Sequence, residues 1–94
     1  MQTAVVGHVS IDPARIEESE KFLKEMIVPT VTAAKGFVSG IWTHSDDGKG
    51  VGIITFGNEQ DAEGFAAQMQ SMEMPPDGPV TPSSFEVYRI AATA

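Results

Sequence analysis

Trp42 and His44 stand two residues apart in the run Phe37-Val-Ser-Gly-Ile-Trp-Thr-His44. In an extended chain that spacing puts an indole and an imidazole on one face. A tryptophan wall beside an imidazole can stack a planar ligand and move a proton on or off it. The same spacing suits an indole packed in a core or an interface, with the imidazole in water beside a turn. His8 lies within another β-rich run, Thr3 to Ile11. It is either a general base, taking a proton from a bound ligand, or a hydrogen-bonded structural histidine. Tyr88 and Arg89 are adjacent, so they face opposite sides of a strand. Tyr88 can donate to a substrate oxygen. Arg89 can pair a ligand anion, or an acidic residue at the sheet edge or across a dimer. Phe65 and Met69, one helical turn apart, and Met72 and Met74 beyond them offer an adaptable apolar lining or close a core under a loop. His8 and Tyr88 are thus the candidate catalytic pair, and Trp42, His44, Phe65 and Met69 the candidate ligand contacts.

Other chemistries find no footing. With no cysteine there is no thiolate metal site, and two histidines without ligand spacing give no metal centre. Gly48 and Gly50 belong to a turn, since no phosphate-cradling glycine motif surrounds them. A serine nucleophile motif is also missing. Thirteen acidic residues against six basic ones leave a net charge of -7, which repels nucleic acid and anionic membranes. Apolar runs are far shorter than the ~18 residues needed to span a bilayer. The start of the chain has no cationic stretch before an apolar one. The expectation is a cytoplasmic protein with no metal, no cofactor, no nucleic acid and no membrane among its partners.

The 94 residues form one domain, 1–94. Thr3–Ile11 reads as a strand, rich in β-branched residues. Asp12-Pro13 opens a helix, with Asp12 as N-cap and Pro13 at the first position. Ile16, Glu20, Leu23 and Ile27 fall on one stripe of that helix, joined by Phe22 and Met26, and its charges lie opposite. Pro29 is expected to kink or end it, Val31 to Ala34 to resume it for a turn, and Gly36 to cap it. Phe37–His44 and Val51–Phe56 form a hairpin around Asp46-Asp47-Gly48-Lys49-Gly50. Asn58 caps a second helix, Glu59 to Ser71. Met72 to Ser83, with four of the six prolines, reads as a loop, and Ser84–Ile90 as the last strand.

The order βαββαβ is that of an α+β, ferredoxin-like domain: a four-stranded antiparallel sheet with two helices on one face. Strand order four, one, three, two follows, with the first and third strands central and expected to run parallel to each other. The other face is not polar. Val51 and Ile53 oppose Ile54 and Phe56, Ala4 and Val6 oppose Val5, Val9 and Ile11, and Tyr88 and Ile90 oppose Phe85 and Val87. Two helices cover one side only, so a second copy is expected on the other, as a twofold homodimer through the sheet face.

The segments Ala34-Lys-Gly-Phe-Val-Ser-Gly-Ile-Trp-Thr-His-Ser-Asp-Asp-Gly48 and Ile54-Thr-Phe-Gly-Asn-Glu-Gln-Asp-Ala62 carry a resemblance. The chain resembles the dimeric α/β-barrel proteins, in particular the antibiotic biosynthesis monooxygenase-like group. The shared marks are a glycine–phenylalanine pair after the first helix, an acidic-glycine hairpin turn, and a third strand ending in Phe before a capped, acidic helix start. These are marks of fold, and fold does not fix function. The resemblance implies a pocket in each subunit between sheet and helices. Members of the group oxidise aromatic, polyketide-like substrates with oxygen and neither metal nor flavin, degrade haem, or isomerise small lactones. The haem-degrading members share an asparagine on an early strand and an axial histidine on the second helix. Here the first strand has no asparagine and Glu59 to Ser71 no histidine.

Two functions follow as expectations. One is a cofactor-free monooxygenase for a small aromatic or polyketide-like substrate, with His8 as base, Trp42 as stacking wall and Tyr88 as oxyanion donor. The other is a non-catalytic dimer that binds a small hydrophobic ligand or serves as an accessory protein. A cavity of at least ~300 Å³ with a titratable lining favours the first. A filled interior, with Trp42 packed in the dimer, favours the second.

Overall fold

A computed structural model describes residues 2–72 and 78–94. Four strands, β1 (Thr3–Ile11), β2 (Phe37–His44), β3 (Lys49–Phe56) and β4 (Val80–Arg89), make one sheet in the order β2-β3-β1-β4. The fold is the α+β, ferredoxin-like one. Every neighbouring pair is antiparallel, β1 with β3 included. The expected parallel central pair is therefore corrected. The first helical crossover returns the chain so that β2 runs parallel to β1, and the tight hairpin then reverses it, so β3 must oppose β1.

The first helical stretch begins with a short 3₁₀ turn, Pro13–Arg15, where the Asp12 carboxylate accepts from the Ala14 N–H at 3.0 Å. It continues through α1 (Ile16–Phe22), a π-helical segment Leu23–Ile27 and α2 (Val28–Thr32). Pro29 does not end the helix. It has no N–H to give and its ring crowds the carbonyl four residues back. A wider π turn lies just before it, in which the Val28 N–H reaches the Leu23 carbonyl five residues back, and the helix runs on through Pro29. Gly36 follows with φ +81°, a value that favours glycine. The second helix, α3 (Glu59–Ser71), is capped by Asn58, whose side-chain oxygen accepts from the Asp61 N–H at 2.8 Å.

β4 begins at Val80, not at Ser84, so part of the expected loop is strand. Pro82 is tolerated because β4 is an edge strand, and the register slips between His8 and Val9 opposite it, making Ser83 the extra residue of a bulge. Met74 and its neighbours 73–77 lie outside the described residues. β3 likewise begins two residues early, at Lys49, where the turn glycine Gly48 takes φ +88° and its carbonyl accepts from the Ile11 N–H.

Both helices cover the sheet face formed by Val5, Ile54 and Phe56. Val31 from α2 and Ala62, Phe65 and Ala66 from α3 close that core, and the Phe56 and Phe65 rings meet at 5.0 Å between centroids. The opposite face carries Ile41, Ile53 and Tyr88, exposed by 63%, 43% and 50%. Its apolar character is as the alternation requires, and in the single chain it is uncovered.

Candidate functional site

Between the sheet and the first helical stretch lies a cavity of about 140 Å³. Glycine makes room for it. Trp42 pairs with Gly52 across the hairpin, and the indole lies over Gly52 and Gly40. A Cβ on Gly52 would come within 3.0 Å of the ring, and one on Gly40 within 2.8 Å. Phe85 lies in the same way over its partner Gly7, where a Cβ would come within 2.9 Å. Two aromatic rings thus lie against glycines of the sheet and form the floor. Phe22, Leu23 and Ile27 of the first helical stretch form the roof, and Phe65 and Met69 of α3 a wall.

One end is polar. His44 on β2 and Glu20 on α1 both line the cavity, with Nε2 3.1 Å from Oε1. Both side chains are partly exposed there. Ser19, also on the lining, is already engaged: its hydroxyl donates to the Ile16 carbonyl at 2.7 Å. All four expected ligand contacts, Trp42, His44, Phe65 and Met69, therefore come together around one space.

His8 and Tyr88 do not join them. Alternation turns both to the uncovered face, where Glu86 holds them. Tyr88 Oη donates to Glu86 Oε2 at 2.6 Å, and His8 Nε2 lies 3.6 Å from Oε1. The hydrogen bond to Glu86, first, and its negative charge, second, push the Tyr88 phenol above its ordinary 10.0. Within one chain the expected base and oxyanion donor are separated from the cavity by the sheet. Arg89 faces the helix side and pairs with Glu59 at the start of α3, at 3.4 Å.

Sequence reasoning missed the acidic partner of each histidine. Glu86 and Tyr88, two apart on a strand, share a face, and that spacing was the available signal. Glu20 gave a plainer one, as a carboxylate inside an otherwise apolar helical stripe. Among the described residues no group of three His, Asp or Glu side chains is placed to hold a metal ion, and no helix is long and apolar enough to cross a membrane.

No protein-family model and no curated protein matches the sequence. A solved structure does match in shape: a monooxygenase from the gene ActVA-Orf6 of Streptomyces coelicolor, in complex with the ligand nanaomycin D. The TM-score is 0.53 at 20% sequence identity, over 99% of this chain and 91% of that one. At that identity the likeness is one of fold: this chain shares the ferredoxin-like fold of that monooxygenase.

Proposed function

We propose that the protein binds a small, planar hydroxylated aromatic in the Trp42 cavity and oxidises it with dioxygen, without a cofactor. The observation that carries this reading is the cavity itself, apolar throughout except for the His44–Glu20 end. Its size sets the substrate. A volume of about 140 Å³ is below the ~300 Å³ of ordinary small-molecule sites but close to cavities of ~150 Å³ that take benzene. One ring fits inside, and a second can extend toward the mouth. The shared fold with a monooxygenase supports the reaction class.

The chemistry balances with oxygen alone. A base removes the phenol proton, and the ring carbon opposite the oxygen gains carbanion character. Dioxygen adds there. Loss of water from the peroxide leaves a carbonyl, so a phenol and one O₂ become a para-quinone and one water. The base that reaches the ring is His44, since His8 and Tyr88 lie across the sheet. Oxygen uptake and quinone absorbance with alpha-naphthol test the reading. His44→Phe should lower the rate by about 10²–10⁴-fold with the fold intact; an unchanged rate would refute it.

A second reading is supported by the same small volume, which leaves little space for a base, a ring and oxygen together: a binding protein without turnover. Saturable binding with no oxygen uptake would select it. In either case the apolar face with Ile41 and Ile53 is proposed to pair with a second copy, completing a dimeric barrel.

A further inference from the structure

The titratable side chains that line the cavity, among the described residues, are His44 and Glu20, and they touch each other. Their placement follows from the two periodicities. Strand alternation turns His44 inward beside Trp42, and the helical stripe Ile16-Glu20-Leu23 points Glu20 at the sheet. Among the described residues no lysine or arginine lines the space.

We propose that His44 and Glu20 form a proton-accepting dyad that admits only ligands arriving uncharged, with His44 touching the ligand hydroxyl and Glu20 as a positioning residue. This rests on the ligand-binding reading above. A carboxylate only accepts, so Nε2, which faces Glu20, carries the hydrogen, and Nδ1 is the basic nitrogen. When a phenol docks, its O–H bond breaks, the proton moves to Nδ1, and the electron pair stays on oxygen. The imidazolium then lies between the new phenolate and the Glu20 carboxylate. The proton has only changed place, so no net charge is buried.

A ligand entering as a carboxylate has no such route. It brings an anion into an apolar space with no cation on the lining, past Glu20 and against a chain of net charge -7. The predicted substrate class is therefore neutral phenols, with ring acids of the same shape rejected.

Trp42 is the one tryptophan of the chain and lies on the cavity floor, so its emission reports occupancy. The probes are para-nitrophenol, whose ionised form absorbs in the visible, and para-nitrobenzoate, the same ring with a carboxylate. The nitrophenol should quench Trp42 saturably and show its phenolate band at a pH where the free compound is protonated. The benzoate should bind at least about tenfold more weakly. In His44→Phe, any nitrophenol that still quenches Trp42 should show no band. In Glu20→Gln the band of the bound nitrophenol should appear only at higher pH, a change that loss of a mere helix-to-strand latch would not cause. Equal affinity for the two probes, or a band surviving in His44→Phe, overturns the dyad and leaves the cavity reading standing. Quenching by neither removes the cavity reading and the dyad with it. Circular dichroism checks each variant's fold, and the two-probe comparison on the unmodified protein decides even where a variant fails to fold.

Discussion

Trp42 lies directly across the ladder from Gly52, and the indole occupies the space a side chain at Gly52 would take. The pair explains how a thin domain keeps a cavity. A large ring placed against a glycine lines a space instead of filling it, and Phe85 against Gly7 repeats the device.

Gly52→Val tests that relationship. The new side chain would force the indole off the sheet and into the cavity. Overpacking of this kind costs about 1–3 kcal/mol, to be read from denaturant midpoints at constant slope. Quenching of Trp42 by para-nitrophenol should be lost in the folded variant.

Phe65 and Met69 sit one turn apart on α3 but differ in depth. Phe65 is 5% exposed and packs on Phe56, whereas Met69 is half-buried on the cavity wall. Phe65→Ala should cost ~3–5 kcal/mol, a large share of the ~5–15 kcal/mol that holds a small domain together. Met69→Ala should cost less and widen the cavity, so that two-ring phenols gain affinity over one-ring ones in the same fluorescence titration.

Tyr88 is the one tyrosine of the chain, so its ultraviolet titration is unambiguous. Its phenol should ionise above its ordinary 10.0, and Glu86→Gln should bring it back down. The sign of the stability effect follows. A group whose pKa is raised by folding holds its proton more tightly when folded, so its stabilisation is complete below 10.0 and is lost as pH climbs through the raised value. Melting temperature of the unmodified protein should fall more steeply above pH 10.0 than that of Glu86→Gln.

Ile53 tests the proposed assembly. It projects from the centre of the uncovered face and has no structural duty in its own chain's core. The unmodified protein should scatter light at twice the 10.0 kDa of one chain, and Ile53→Asp should scatter as a monomer with its circular dichroism retained. A monomeric unmodified protein would remove the barrel.

The elements were legible because each is written locally. Val5, Val9 and Ile11 announce a strand, Asp12-Pro13 and Asn58 announce helix starts, and Asp46-Asp47-Gly48 announces the hairpin. The departures arose where neighbours outvote local signals. Pro82 argues for a loop until β4 is known to lie at the sheet edge. Pro29 argues for a break until a π turn opens ahead of it. Crossovers alone suggest a parallel β1–β3 pair; the tight hairpin reverses the chain and makes it antiparallel.

The sequence by itself determined the order of elements, the apolar character of both sheet faces, and the sharing of one face by Trp42 and His44. Those depend only on propensity and on the periods of strand and helix. Only the tertiary structure decided which face the helices cover. That choice gathered Trp42, His44, Phe65 and Met69 around a cavity and sent His8 and Tyr88 to the other side. A strand's two faces are equivalent until something packs on one of them, and the carboxylates beside the two histidines, Glu20 and Glu86, are brought in from other elements.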